Sequence, residues 1–301
     1  MAAAGPVITI SGLRKSYGAV DAVRGVDLEV DTGEIVAVLG PNGAGKTTTV
    51  EILEGYRSRS GGDVLVLGSD PARPDRGWRS RIGVMLQSWQ LEPDLTVRES
   101  IAQFAGYYRR PLAVDEVIGL VGLAGQSDTR AGRLSGGQQR RLDLGLALVG
   151  DPELLFLDEP TTGFDPAARR AAWRVIEALR SSGKTVLLTT HYLDEAAALA
   201  DRVAILVDGS IRAEGAPDDL VRGRRTRITF RLPDGVLFAD LPQVARAGPP
   251  VNGRVVVEAD TPLPVVHTLT AWALERGVDL PDLEVRRPSL EDVYLELTTR
   301  R

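Results

Sequence analysis

The sequence predicts an α/β protein in which a mostly parallel sheet forms the core, a β-rich antiparallel subdomain flanks it, and a small α+β domain follows. Helical stretches separate several short apolar runs, which indicates parallel strands joined by helices. Each run is continuous and bounded by turn residues, as in strands that are buried on both faces. The runs occupy residues 35–39, 154–157, 186–188 and 203–207.

The N-terminal stretch has a different pattern. Val7-Ile-Thr-Ile10 and Val26-Asp-Leu-Glu-Val30 alternate between apolar and polar residues. Alternation of this kind is typical of antiparallel strands with one exposed face. These two segments therefore predict the antiparallel subdomain.

Two further elements are bounded by residues that are typical of helix ends and of tight turns. Asp165 suits the N-cap of a helix, Pro166 suits its first position, and Ser181-Ser-Gly183 ends it. Asp208-Gly209 predicts a tight hairpin that joins the run at 203–207 to a partner strand at 210–214.

A chain of 301 residues with 43% hydrophobic content is long enough for two domains. We expect the first to span residues 1–220 and the second 221–301. The second contains β-prone pieces at 227–232 and 254–258, a helical stretch at 264–276, and a last element opened by the capping-box pattern Ser289-Leu-Glu-Asp292. This mixture predicts an α+β accessory domain.

Composition excludes several classes of site. The absence of cysteine excludes disulfides, thiolate metal sites and cysteine nucleophiles. The net charge of −5 gives no reason to expect nucleic acid as a partner. No apolar run approaches the roughly 18 residues that span a bilayer, and no signal peptide is recognisable, so we expect a soluble chain.

The tightest basic cluster leaves two interpretations open. Its members lie close to the predicted domain boundary, where a solvated linker is one interpretation and contact with anionic lipid headgroups is the other. They are Arg222, Arg224, Arg225 and Arg227.

The most informative motif is Gly40-Pro-Asn-Gly-Ala-Gly-Lys46-Thr47, which matches the phosphate-loop spacing G-x-x-x-x-G-K-[ST]. Glycines at positions 40, 43 and 45 permit positive φ angles and close approach of backbone N–H groups to phosphate oxygens. Lys46 supplies a positive charge to the outer phosphates, and Thr47 offers a hydroxyl to Mg²⁺. A helix that begins near Gly45 adds its positive end to this anion site.

Two adjacent carboxylates, Asp158 and Glu159, follow the apolar run at 154–157. Carboxylates at the end of a buried strand are unfavourable unless a cation or a hydrogen-bonding ligand receives them. Ligands bind at this end of parallel strands. We expect Asp158 to serve the Mg²⁺ that accompanies ATP, and Glu159 to act on the attacking water as base or orienting group.

The segment Leu134-Ser-Gly-Gly-Gln138 predicts a second anion-binding helix end. Ser135 and Gln138 form a capping box, and the helix N-terminus offers free N–H groups. Two glycines, Gly136 and Gly137, lower the helix propensity of this segment. This cost is explained if another group must approach the bare backbone closely. Since one ATP already has a helix N-terminus in the phosphate loop, the second is most simply supplied by another copy of the chain.

These motifs resemble the nucleotide-binding subunits of ABC transporters, which carry a Walker A loop, an LSGGQ signature, a Walker B motif, a D-loop and an H-loop in this order. The resemblance covers residues 7–215. It implies a P-loop ABC ATPase domain with a helical signature subdomain at about 88–150. It also implies that Tyr17 stacks on adenine, that Gln87 is the Q-loop residue near Mg²⁺, and that His191 contacts the γ-phosphate.

The resemblance also implies the full set of site residues. For catalysis these are Glu159, His191 and Lys46, and for Mg²⁺ they are Thr47, Gln87 and Asp158. The nucleotide-binding residues are Tyr17, Gly40, Pro41, Asn42, Gly43, Ala44, Gly45, Lys46, Thr47, Thr48 and Gln87. The partner chain contributes Ser135, Gly136, Gly137, Gln138 and the D-loop residue Asp165. Phe164 stands where leucine is more usual in the D-loop, and we expect this to alter packing only.

The C-terminal segment beginning at Pro288, together with His191-Tyr-Leu-Asp-Glu195, narrows the resemblance to drug-resistance exporters of the daunorubicin type within the ABC-2 group. This implies export of a drug, lipid or other hydrophobic compound, a homodimer that closes on ATP, and separate membrane permease subunits at the cytoplasmic face of the membrane. The family docks its membrane partner in the segment that holds Phe104, Tyr107 and Tyr108, although core packing explains these three side chains equally well.

Two other functions remain open from the sequence. One is an ABC ATPase that acts on ribosomes or DNA instead of on a transporter. The other is a nucleotide-gated regulator in which the C-terminal domain is primary. A single ATPase half without cysteines or a heptad run counts against the first of these and leaves the second open.

Overall fold

The structure is a computed structural model that describes residues 5–85, 92–245, 248 and 250–299. The strands of this part are β1 Ile8–Tyr17, β2 Val20–Val30, β3 Ile35–Leu39, β4 Gly61–Val66, β5 Ile82–Met85, β6 Leu154–Asp158, β7 Thr185–Thr189, β8 Arg202–Val207, β9 Ser210–Gly215, β10 Thr226–Arg231, β11 Arg254–Ala259 and β12 Glu284–Arg286.

The described helices alternate with these strands through most of the chain. They are α1 Lys46–Leu53, α2 Arg76–Arg79, α3 Val97–Ala105, α4 Val114–Leu120, α5 Gly136–Leu148, α6 Pro166–Ser181, α7 Leu193–Leu199, α8 Pro217–Val221, α9 Pro262–Arg276 and α10 Leu290–Thr299. Short 3-10 helices lie at Ala124–Gln126, Ala131–Arg133, Phe238–Asp240 and Gln243–Ala245.

The chain divides into two compact units. The first comprises Met1–Pro217 with Tyr294–Arg301, and the second comprises Asp218–Val293. Each is described by itself below.

A six-stranded sheet in the order β5-β6-β7-β3-β8-β9 forms the centre of the first unit. All of its pairings are parallel except that of β8 with β9. Every residue of β3, β6 and β7 is buried, which confirms the interpretation of the continuous apolar runs. The hairpin at Asp208-Gly209 joins β8 to β9, and both residues have positive φ angles, as a two-residue type I′ turn requires.

A three-stranded antiparallel sheet in the order β2-β1-β4 completes the β structure of the first unit. Ile8 pairs with Val30 and Ile10 with Leu28, so the two alternating N-terminal segments are neighbours. Their inward side chains share one core cluster with α1 and the central sheet, including Val36 and Phe156. The predicted antiparallel subdomain is thereby confirmed.

The edge strand β5 is an element that sequence analysis missed. It is only four residues long and contains Gly83, which suggests a loop when read as sequence. A Cβ at Gly83 would lie 2.3 Å from the carbonyl oxygen of Ala147. Glycine is required here because the backbone of α5 approaches the strand closely.

The second unit contains an antiparallel sheet in the order β11-β10-β12 and the helix α9. Alternate residues of β10 and β11 are buried, and Ile228, Phe230 and Val257 pack with Leu269 and Trp272 of α9. This arrangement confirms the predicted α+β class.

Glu54, directly after α1, is an unusual residue within the first unit. It is 5% exposed, and neither carboxyl oxygen has a hydrogen-bond partner in the described part of the chain. Burial, together with the negative charges of Asp158 and Glu51, raises the pKa of Glu54 to about 8. The folded protein therefore keeps this group protonated at neutral pH.

We expect the free energy of unfolding to fall as the pH rises from about 4.5 to about 8, because the unfolded chain loses the Glu54 proton across this range while the folded chain retains it. Glu54→Gln should remove the contribution of Glu54 to this decrease in the free energy of unfolding. The glutamine amide does not titrate and has the size of the neutral acid. Glu116→Gln is the matched control, because Glu116 is exposed on α4 and is not one of the charges that shift the Glu54 pKa. Urea unfolding followed by circular dichroism, at several pH values, measures the difference, and equal slopes in wild type and Glu54→Gln would contradict it.

Candidate nucleotide-binding site

The phosphate loop connects β3 to α1 and is shaped by glycine. Gly45 is the N-cap of α1 with a φ of 100°, and a Cβ there would lie 2.5 Å from the carbonyl oxygen of Ala22. A Cβ at Gly40 would lie 2.2 Å from the carbonyl oxygen of Leu206. Only glycine fits both positions, so the backbone of the loop is held against β2 and β8.

Lys46 is the first residue of α1, and its side chain turns back over the loop. Its Nζ donates to the carbonyl oxygens of Gly40 at 2.7 Å and Pro41 at 3.2 Å. Burial lowers the pKa of Lys46, against the raising effect of the Glu159 and Asp158 charges. The ammonium group therefore lies at the centre of the loop, close to both carboxylates.

The loop and the two carboxylates share a single cavity of about 290 Å³. The sequence places these groups more than 100 residues apart. Their meeting follows from the parallel sheet, since β3 and β6 both pair with β7 and end at the same edge. The described lining consists of Ala22, Asn42, Gly43, Ala44, Gly45, Lys46, Thr47, Thr48, Asp158 and Glu159.

Asp158 ends β6 and is 9% exposed. Its Oδ1 accepts a hydrogen bond from the Thr189 hydroxyl at the end of β7. Burial and the Glu159 charge raise the pKa of Asp158, and the Thr189 hydrogen bond with the Arg140 and Lys46 charges opposes this. A carboxylate in this situation favours a nearby cation, which would offset the cost of its burial.

Glu159 adopts a left-handed backbone conformation with a φ of 48°. This conformation is strained for a residue other than glycine, by about 1 kcal/mol. Its Oε2 accepts from the Thr162 hydroxyl at 3.0 Å, and its Oε1 lies 3.2 Å from Nδ1 of His191. The surroundings thus aim the Glu159 side chain at the cavity.

The pKa of Glu159 results from opposing effects. Partial burial acts to raise it, but hydrogen bonds from Thr162 and His191 and the charges of His191 and Lys46 together lower the pKa below its usual value. Asp158 and Glu159, although adjacent, therefore have pKa values shifted in opposite directions. Such a division is typical of carboxylates with different chemical roles.

Arg140 is a functional residue that sequence analysis missed. It lies on α5, is 9% exposed, and donates through Nη2 to the carbonyl oxygens of Asp158 and, at 3.0 Å, of Glu159. These bonds hold the strained backbone from the side of the signature helix. In the sequence, Arg140 is one of two adjacent arginines after the signature, and nothing there distinguishes it from a solvent-exposed charge.

The signature segment opens α5 as predicted. Ser135 is the N-cap, its Oγ accepts from the Gln138 N–H at 3.3 Å, and its own N–H donates to Gln138 Oε1 at 2.9 Å. Ser135 and Gly136 are exposed, and no residue of 134–138 is among the described residues that line the phosphate-loop cavity. The N-terminus of α5, which could bind an anion as that of α1 does, therefore lies outside the phosphate-loop cavity of its own chain.

Asp165 lies at the N-terminus of α6, where it accepts hydrogen bonds from the N–H groups of Ala167 and Ala168. These bonds lower its pKa. The neighbouring Phe164 is 8% exposed, and its ring lies 3.9 Å from where a Cβ on Gly137 would be. The D-loop phenylalanine therefore packs beside the signature glycine of its own chain.

Three further residues predicted for the site are not part of the described lining of this cavity. His191 lies beside Glu159, and its ring contacts that of Tyr192 with centroids 4.1 Å apart. Tyr17 is 41% exposed at the end of β1, outside the described lining of the cavity, with Lys15 Nζ 5.0 Å from its ring centroid. Gln87 lies outside the described residues.

Thr47 and Asp158 bring two oxygen donors to one cavity, and oxygen ligands suit Mg²⁺. In the ranges that the structure describes, no group of three or more histidine, aspartate or glutamate side chains is placed to hold a metal ion. Thr47 and Asp158 could supply part of a Mg²⁺ ligand set, which nucleotide and water oxygens would complete. None of the described helices has the length and apolar character needed to cross a membrane.

Comparison with known proteins agrees with this geometry. The model of the ABC transporter family matches residues 23–162, and that of the C-terminal domain of ABC transporter domain-containing protein-like sequences matches residues 226–289. The daunorubicin resistance ATP-binding protein DrrA2 of Streptomyces coeruleorubidus is 38% identical, over 99% of this chain and 96% of its own length. The Nod factor export ATP-binding protein I of Paraburkholderia xenovorans is 38% identical, over 97% of each chain.

Solved structures agree as well. The ADP conformation of MJ1267, an ATP-binding cassette of an ABC transporter, superposes with a TM-score of 0.64 at 25% identity, covering 72% of this chain and 93% of its own. The ATP-binding cassette MJ0796 in a dimeric post-hydrolysis state, bound to ADP and Pi, superposes with a TM-score of 0.63 at 25% identity, covering 69% of this chain and 98% of its own. With its phosphate loop, paired carboxylates and signature helix, the chain belongs to the ABC transporter family, as an ATP-binding subunit with ATPase activity.

Proposed function

We propose that two copies of this chain close around two ATP molecules and that this closure drives the separate membrane subunits of an exporter. The observation that carries the proposal is the position of the signature segment. Its helix N-terminus is exposed at Ser135 and Gly136 and contributes nothing to the described lining of the chain's own phosphate-loop cavity. A second copy is the simplest way to bring it to a bound nucleotide.

Glycine at position 136 supports this arrangement. A Cβ there would meet no atom of the described residues within 4 Å, so none of them requires glycine at this position. Alanine would be the better helix former at this position. Glycine at position 136 is explained if a nucleotide bound to a second copy must approach the backbone closely.

Each site then combines residues of both chains. The N–H groups of the loop residues 42–48 and the Lys46 ammonium bind the phosphates, and Tyr17 stacks on the adenine. Thr47, Gln87 and Asp158 hold Mg²⁺, which neutralises phosphate charge. Ser135, Gly136, Gly137, Gln138 and Asp165 come from the partner copy.

Glu159 acts on the attacking water. Its lowered pKa keeps the carboxylate ionised and able to accept a proton, and its strained backbone directs the side chain at the cavity. His191, 3.2 Å from the Glu159 carboxylate, contacts the γ-phosphate and holds the glutamate in position. Loss of the γ-phosphate removes the contacts that bridge the two copies, which then open.

The exported compound is a drug, lipid or other hydrophobic molecule. Two relatives that match nearly the full chain support this: one is named a daunorubicin resistance ATP-binding protein, and the other a Nod factor export ATP-binding protein. Membrane permease subunits bind the chain at the cytoplasmic face of the membrane. Residues 221–301 form an accessory domain that regulates or stabilises the dimer.

We expect Glu159→Gln to retain ATP binding, to lower ATP hydrolysis at least ~100-fold, and to accumulate as a dimer in the presence of ATP. Size-exclusion chromatography with and without ATP, combined with a phosphate-release assay, measures both effects. Hydrolysis at the wild-type rate would refute the role of Glu159.

Lys46→Ala should weaken nucleotide binding itself, because it removes the positive charge at the centre of the phosphate loop. Equilibrium binding of a fluorescent ATP analogue measures the affinity. An affinity equal to that of the wild type would contradict the assigned position of the phosphates.

We expect Gly136→Ala to leave the free energy of unfolding unchanged or to raise it by up to ~1 kcal/mol. In a Glu159→Gln background it should weaken ATP-dependent dimerisation at least about tenfold, since the added methyl group occupies space that the nucleotide on the partner needs. Gly119→Ala in α4 is the matched control, because its Cβ also meets no atom within 4 Å. If both variants dimerise like the parent, the composite site is wrong.

Copurification from a detergent extract tests the permease partner. The wild-type chain should recover an integral membrane protein, whereas recovery with ribosomes or DNA instead would overturn the transporter assignment.

A further inference from the structure

Glu195 is a buried acidic residue of the first unit that the proposed mechanism does not use. It lies in α7, is completely buried, and its Oε2 has no hydrogen-bond partner in the described part of the chain. A buried carboxyl group costs free energy unless its contacts compensate. An apolar side chain of similar size would avoid this cost, so packing does not account for Glu195.

The other carboxyl oxygen of Glu195 joins three elements. Oε1 accepts a hydrogen bond from the Thr161 hydroxyl at 2.7 Å and another from the Trp173 indole N–H at 3.0 Å. Thr161 is also completely buried and lies between β6 and α6, and Trp173 lies on α6. One oxygen atom of α7 therefore holds both the segment that follows β6 and the helix that comes after it.

The segment held through Thr161 contains the catalytic glutamate. Thr162 donates its hydroxyl to Glu159 Oε2 at 3.0 Å and its N–H to the Glu159 carbonyl oxygen at 3.3 Å. The backbone of Glu159 is left-handed, with a φ of 48°. Strained conformations persist where the surrounding structure holds them. The bond from Thr161 to Glu195 is one such support, because it fixes the residue that precedes Thr162.

Helix α7 also connects Glu195 to His191. The helix begins at Leu193, two residues after His191, and the Ala196 N–H donates to the Tyr192 carbonyl oxygen at 3.2 Å. The Tyr192 ring contacts that of His191, with centroids 4.1 Å apart, and lies 4.0 Å from Cζ of Arg169 on α6. A displacement of α7 would therefore displace His191 as well.

We propose that Glu195 is a positioning residue for ATP hydrolysis. Its hydrogen bond to Thr161 sets the position of the Glu159 carboxylate relative to the His191 imidazole, whose nearest atoms lie 3.2 Å apart. Glu195 is not among the described residues that line the phosphate-loop cavity, so it acts through Thr161 and α7. The inference rests on the proposed roles of Glu159 and His191. Small displacements of a reacting group lower the rate of a reaction strongly.

Two variants of Glu195 separate hydrogen bonding from packing. Glutamine keeps an oxygen that can accept both bonds, whereas methionine has a similar size and no such oxygen. Glu195→Met should lower kcat for ATP hydrolysis at least about tenfold and leave KM for ATP within about twofold, because the phosphate loop is unchanged. Glu195→Gln should keep kcat within about twofold of the wild type. Phosphate release measures both constants, and circular dichroism measures the folded fraction.

Thr161→Val tests the same bond from its other end. It removes the donor, preserves the shape of the side chain, and should lower kcat at least about fivefold. Thr185→Val is the matched control and should keep the wild-type kcat. Thr185 is a buried threonine at the opposite end of β7, and its hydroxyl accepts one hydrogen bond from the Gly33 N–H at 2.8 Å. The double variant Thr161→Val/Glu195→Met should be no slower than the slower single variant, since both substitutions remove one bond.

Several outcomes would overturn the positioning role. They are wild-type kcat in Glu195→Met and Thr161→Val, equal kcat in the methionine and glutamine variants, an equal loss in Thr185→Val, and additive losses in the double variant. Glu159→Gln belongs in the same assay. If Glu159→Gln hydrolyses ATP at the wild-type rate, the proposed function fails. If it is slow while Glu195→Met is as fast as the wild type, only the role of Glu195 fails.

Discussion

Parallel pairing of β3, β6 and β7 is the constraint on which the rest of the structure depends. These three strands are buried throughout and end at one edge of the central sheet, so the segments that follow them meet there. The phosphate loop follows β3 and His191 follows β7. Asp158 ends β6, and Glu159 comes directly after it. A shift of one residue in the register would turn every side chain of a strand to the opposite face and separate these groups.

The site also depends on interactions that cross between elements. Glu159 has a left-handed backbone, and its neighbour Asp158 is a buried carboxylate, so both need support. Thr189 of β7 supports the Asp158 side chain, and Arg140 of α5 supports the backbone of both residues. The helix that begins with the signature segment is therefore bound directly to the end of the strand that carries the catalytic carboxylates.

The two helix N-termini have different surroundings. That of α1 is enclosed by the phosphate loop and faces the carboxylates, whereas that of α5 is exposed at Ser135 and Gly136. Within one chain, the described side-chain hydrogen bonds at the N-terminus of α5 are those of the capping box between Ser135 and Gln138. The proposed dimer gives this exposed N-terminus a role, because a second copy brings it to a bound nucleotide.

Local sequence patterns were enough to determine the parallel core strands, the capped helices α5 and α6, the phosphate loop and the acids after β6. Each depends on residues close together in the chain, whose spacing reflects helix, strand or turn geometry. Tertiary structure alone decided the rest. The strand β5 requires Gly83 because the backbone of α5 lies against it. The Arg140 guanidinium is buried where it reaches the carbonyl oxygens of Asp158 and Glu159, and burial among distant elements raises the pKa of Glu54. Burial and charge at these positions depend on which distant segments pack together, and local periodicity carries no record of that packing.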